Sequence, residues 1–105
     1  MPKKILEHHI EEPVTRYYRN ELKRLYHTEH LDRKMNGMGN RSWPDRMYIG
    51  PNKVLFVEFK KPGGEATEIQ ENRLKQLKMM GHAAVMIDDV AYGKQWIDWL
   101  FTGED

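Results

Sequence analysis

The 105-residue sequence contains no cysteine. That excludes a disulfide scaffold, a thiolate zinc site and a cysteine nucleophile, and it accords with a reducing cytoplasm. Long hydrophobic runs are missing as well. No apolar stretch approaches the roughly 20 residues that a membrane-spanning helix requires, so no membrane partner is expected. The first ten residues are charged and His-containing, unlike the apolar segment of a secretory leader. Nothing is repeated, low in complexity or rich enough in Gly, Pro and Ser to divide the chain, so a single domain over 1–105 is expected. An excess of one charge sign is also lacking: the formal net charge is +1, which rules out a bulk polycation.

What is present is uneven. Eleven Lys or Arg face five Asp or Glu between residues 16 and 61, whereas four face eight between 62 and 105. A basic middle beside an acidic C-terminal part describes either a local positive surface or solvated helix faces. Within the basic stretch, Arg16, Arg19, Lys23 and Arg24 recur at helical spacing. His27 and His30 stand three apart, near Glu29 and Asp32, which falls short of the three or four well-placed ligands that a zinc site usually needs.

The segment 3–27 places Leu6, Ile10, Val14, Tyr17, Tyr18, Leu22 and Leu25 on a helical period. Pro13 interrupts it, so the helix either starts near Pro13 or is kinked there after a shorter turn. A short strand is expected before the loop 35–40, which carries two glycines. The runs 46–49 and 54–60 flank Gly50-Pro51-Asn52-Lys53 and read as a hairpin. Residues 54–57 are apolar on both faces, as in a central strand covered from each side. Thr67 and Gln70 form the capping-box pair that opens a helix running to about residue 80, with Gly81 as its stop. Residues 83–87 read as a buried strand. A closing helix is expected to line one face with Tyr92, Trp96, Trp99 and Leu100. Trp96 and Trp99 at this spacing indicate core or interface more than base stacking. The class is α/β, a mixed sheet flanked by helices.

Register carries the chemical argument. A two-residue and a four-residue hairpin loop imply the same pairing: Ile49 opposite Val54, Met47 opposite Phe56, Asp45 opposite Glu58. Lys60, two beyond Glu58, projects from the same sheet face. Two carboxylates and an ammonium thus converge at the end of an apolar strand, where unpaired charges are costly unless an ion joins them. The alternative is a plain strand-end ion pair. Gln70 lies on the same helical face as Leu74 and Leu77, so it serves the cap, the site or both.

The elements Trp43-Pro44-Asp45, Glu58-Phe59-Lys60, Pro62-Gly63-Gly64, Gln70 and Gly81 resemble the VRR-NUC domain, the virus-type replication-repair nuclease branch of the PD-(D/E)xK superfamily, and particularly its small stand-alone phage members. The resemblance covers nearly the whole chain. It implies a restriction-endonuclease-like core of helix, three strands, helix and strand (α-β-β-β-α-β), here followed by the closing helix. It also implies a metal-dependent endonuclease using Mg²⁺ or Mn²⁺. Asp45 and Glu58 would be metal ligands, with the Phe59 backbone carbonyl as a further one. Lys60 would activate water and stabilise phosphate charge, and Gln70 would help place Lys60 or that water. The family's first-helix glutamate corresponds to Glu7, or to Glu11 one turn on. By their placement Arg41, Arg46 and Lys61 beside the site, with Arg16, Arg19 and Lys23, would either hold DNA phosphates or form solvated and ion-paired surface. Branched or junction DNA and a homodimer are expected, because a chain this small offers little surface to a branched duplex. A non-catalytic nucleic-acid- or partner-binding module on the same fold is the competing reading.

Overall fold

The computed structural model describes residues 4–35 and 42–102. Seven elements follow in order: α1 (His8–Tyr26), β1 (Arg33–Lys34), β2 (Arg46–Gly50), β3 (Lys53–Phe59), α2 (Glu68–Met79), β4 (Ala83–Ile87) and α3 (Val90–Thr102). The order is the expected α-β-β-β-α-β core with a closing helix. Among the described residues no helix is long and apolar enough to cross a membrane.

Helix α1 runs through Pro13 instead of starting there. Proline removes one backbone donor from the helix, and tertiary packing outweighs that loss: Ile10, Val14, Tyr18 and Leu22 all lie in the core. Leu6 and Leu25, expected on the same stripe, are exposed at its two ends. The Tyr18 hydroxyl donates to the Ile49 carbonyl at 2.8 Å, and Thr15 Oγ1 and the Tyr48 hydroxyl are 2.7 Å apart, so α1 is pinned to β2. Helix α2 has the full capping box: Gln70 N donates to Thr67 Oγ1 at 3.2 Å and Thr67 N donates to Gln70 Oε1 at 2.9 Å. It stops at Gly81, whose φ of +91° is left-handed backbone that a β-carbon disfavours.

The four-stranded sheet has the order β1-β2-β3-β4. The first two pairings are antiparallel and β3 pairs with β4 in parallel, joined by the α2 crossover. The hairpin loop has two residues, Pro51 and Asn52, because Gly50 pairs with Lys53. Ile49 lies opposite Val54 and Met47 opposite Phe56.

Strand β3 is covered on both sides, for a reason that alternation makes plain. Leu55, Val57 and Phe59 point into a cluster with α1 and α3. Phe56 points the other way, where Leu74 and Leu77 of α2 pack on Ala84. One correction concerns α3. Its buried face is Gly93, Ile97 and Leu100, not the aromatic stripe. Gly93 sets that choice: a β-carbon there would lie 2.5 Å from Val14 Cγ2, so only glycine lets the helices approach so closely. Trp96 and Trp99 are half-buried at the edge of this core and Tyr92 is 41% exposed.

Candidate active site

The end of β3 gathers the acids. By register, residue 45 lies across from residue 58, one step beyond the last pair, Arg46 with Val57. Asp45 is buried and doubly anchored: its Oδ2 accepts from the Phe59 backbone N–H at 2.6 Å, and its carbonyl accepts from Met35 N at 2.8 Å. The preceding turn is fixed from α2. The Arg73 guanidinium sits 4.5 Å from the centre of the Trp43 ring and donates to Ser42 Oγ at 3.0 Å.

Glu58 is 3% exposed. Its Oε2 accepts from Gln70 Nε2 at 3.2 Å and lies 3.7 Å from Lys60 Nζ. Gln70 therefore serves cap and site together. Its Oε1 is held by Thr67 N–H, which turns its amide N–H groups toward Glu58. Lys60 Nζ also lies 3.9 Å from Glu7 Oε1, while its backbone N–H is tied to the Ile87 carbonyl at 3.0 Å. Glu11, the other candidate on α1, bonds Arg46 at 2.9 Å.

Burial pushes the Glu58 carboxyl up to about 8, and the neighbouring Asp45 charge and a hydrogen bond between the two carboxyls add to it. Asp45 is raised too, chiefly by burial. Two acids in hydrogen-bond contact cannot both ionise cheaply, so one proton is shared between them. A stability prediction follows. Between the ordinary value of 4.5 and about 8, the folded protein holds the Glu58 proton and the unfolded chain does not. Stability must then fall as pH rises through that window. Urea midpoints at pH 5 and pH 8 are expected to be lower at pH 8. Glu58→Gln should flatten the difference. A wild-type midpoint equal or higher at pH 8 would contradict this account.

The donor set suits a hard divalent cation. Among the described residues no donor faces the buried Oε1 of Glu58, and the Asp45 carboxyl beside it adds to its cost of ionising. A cation removes both defects. Among the described residues no group of three His, Asp or Glu gathers tightly enough to form a complete cage.

The basic candidates separate by location. A cavity of about 610 Å³ opens at the site, with Asp45, Glu7, Lys60 and Lys61 in its wall. It also includes Lys34, which sequence reasoning missed because a two-residue strand such as β1 has no readable period. Arg46 is occupied elsewhere. Adjacent strand residues point to opposite faces, so Arg46 turns away from Asp45 and bonds Glu11 at 2.9 Å and Asp32 at 2.5 Å. Arg19 makes two bonds to the same Asp32. Asp32, which the sequence offered only as a neighbour of the His27 and His30 pair, is a buried hub, with His30 Nδ1 3.1 Å away. Arg16 and Lys23 are exposed on α1. Arg41 lies outside the described residues.

No family model matches the sequence. Over 51 residues, 48% of the chain, it is 39% identical to a protein named "Putative nuclease p44" from Acyrthosiphon pisum secondary endosymbiont phage 1. The matched stretch spans 55% of that relative, so about half its length is represented here. A solved structure named "VRR_NUC domain protein" superposes with a TM-score of 0.66 over 98% of this chain and 93% of its own, at 18% sequence identity. At that identity the likeness establishes the fold.

Proposed function

We propose that this chain, which carries the fold of a VRR_NUC domain protein, is a single-domain, metal-dependent endonuclease that hydrolyses phosphodiester bonds in DNA. The observation that carries the reading is the convergence of Asp45, Glu58, Lys60 and Gln70 on one end of β3, with Glu58 left short of a partner. The nuclease name of the phage relative supports it.

In this reading Asp45 and Glu58 would hold a Mg²⁺ or Mn²⁺ ion, with the Phe59 carbonyl as a further oxygen ligand and Glu7, or Glu11, acting through water. Such an ion polarises a phosphoryl group and lowers the pKa of bound water. The remaining work falls to the protein. Lys60 supplies positive charge where negative charge builds in the transition state. Gln70 holds Glu58 by its N–H so that the carboxylate keeps one orientation. Glu7 lies 3.9 Å from the Lys60 ammonium and steadies it beside the cavity. Lys61 and Lys34 face the same cavity and take the neighbouring phosphates. Arg16 and Lys23 extend that contact along α1, while Arg19 and Arg46 tie the frame together. No base-reading pattern stands out, so recognition follows DNA shape, with branched or junction DNA the preferred substrate. The setting is the cytoplasm of a phage host.

A panel of single-stranded, linear duplex, flap and four-way DNA, each with Mg²⁺, Mn²⁺ or EDTA, tests this. Cleavage is expected with either metal, fastest on branched forms and absent in EDTA. Binding without cleavage on every form would replace the enzyme with a binding module. A homodimer belongs to the same reading, and sedimentation showing only monomer at micromolar concentration would remove it.

A further inference from the structure

The cavity at the site is lined mostly by charged groups of both signs. Leu6 is the one aliphatic side chain among the described residues in its wall. It is 41% exposed, and Ile5 beside it is 51% exposed. Large aliphatic side chains cost free energy in water, so this pair is left without the packing that Ile10, Val14, Tyr18 and Leu22 find. Leu6 is nevertheless held firmly. Its N–H donates to His9 Nδ1 at 2.9 Å and its carbonyl accepts from His9 N at 3.0 Å. The next residue is Glu7, whose carboxylate approaches Lys60. Leu6 thus stands one peptide unit from a side chain that approaches Lys60, in the wall of the same cavity.

The cavity's lysines, set among four carboxylates (Glu7, Glu11, Asp45 and Glu65), suit a ligand that carries discrete anionic groups and also an apolar face. Lys60, Lys61 and Lys34 answer the first demand and Leu6 the second. A nucleic-acid strand has both, phosphates along its backbone and sugar and base faces between them. We infer that Leu6 is a substrate-positioning residue: the nucleoside next to the scissile phosphate packs its base against the Leu6 side chain, which sets the phosphate over Asp45, Glu58 and Lys60. This rests on the phosphodiesterase reading above.

The test compares cleavage of a DNA strand by wild type and Leu6→Ser, with the base next to the mapped cut either present or replaced by a reduced abasic site on each side in turn. Wild type is expected to lose about tenfold in kcat/KM when the contacted base is removed, the scale of part of a leucine's burial. Leu6→Ser is expected to be about tenfold slower than wild type on intact DNA and to ignore the abasic replacement, because the contact is already gone. Leu6→Met should keep the discrimination. Unchanged melting temperatures would show that the fold is intact in both variants. If both proteins respond equally to base removal, Leu6 does not touch the base and the inference fails while the nuclease reading stands. If wild type cuts no DNA at all, both fail together.

Discussion

Replacing Lys60 with alanine is expected to abolish metal-dependent DNA cleavage, lowering kcat by roughly 10²–10³, the cost of removing one preorganised group that stabilises transition-state charge. The size follows from where the ammonium sits. The Lys60 side chain is 14% exposed, 3.7 Å from Glu58 and 3.9 Å from Glu7, so water screens its charge little. Neither contact is a hydrogen bond, which leaves its donors available to a phosphate oxygen. The fold should survive, because the tie from residue 60 to Ile87 is a backbone bond that alanine retains. DNA affinity should change only a few-fold, since Lys61 and Lys34 remain. Lys60→Arg should restore little, because a planar guanidinium cannot take the place of a compact point charge in this space. Gel-based cleavage with a parallel binding assay separates the two effects. Cleavage by the alanine variant at the wild-type rate would remove Lys60 from the mechanism.

Asp32→Ala is expected to be the most destabilising loss of a charged side chain away from the site, at about 3 kcal/mol, the lower end of what breaking a buried ion pair costs. Asp32 is 4% exposed and takes two bonds from Arg19 and one from Arg46. Arg19 is 42% exposed and recovers water when released, which is why the lower figure applies. Arg46, 14% exposed, would keep only Glu11. Against a total stability of about 5–15 kcal/mol for a small domain, this is a large fraction. The acid side has a definite sign. Burial would raise the Asp32 carboxyl, but the Arg19 bonds and charge outweigh it and hold it below its ordinary value. Its contribution is therefore complete above the ordinary carboxylate range and is lost as pH falls through the lower folded value. Urea denaturation at neutral pH measures the loss, and a change below about 1 kcal/mol would show that the hub is dispensable.

Much of this architecture could be read from local patterns. The capping box at Thr67 and Gln70, the stop at Gly81 and the turn at Pro51-Asn52 are short-range devices, and each acts where its residues stand. The β2–β3 register followed from loop parity, and with it the meeting of Asp45, Glu58 and Lys60. Non-local competition was harder to foresee. Pro13 reads as a break, yet α1 continues because its apolar side chains are gripped by the sheet and α3. The aromatic stripe of α3 reads as its core face, yet Gly93 lets that helix turn its smaller side toward Val14.

The sequence by itself determined the order of elements, the hairpin pairing and the acid–acid–lysine convergence, since all of these follow from spacing within a few residues and from the two-residue period of a strand. Tertiary structure alone decided which basic groups face the cavity and which are spent as internal ties. Arg46 and Lys34 are both cations near Asp45 in the chain, but one turns to Glu11 and Asp32 and the other to the site. The two pair directly across β1 and β2 and so share a sheet face; the difference is the acids that α1 and the segment before β1 bring to meet Arg46, contacts set by packing across distances that no local pattern encodes.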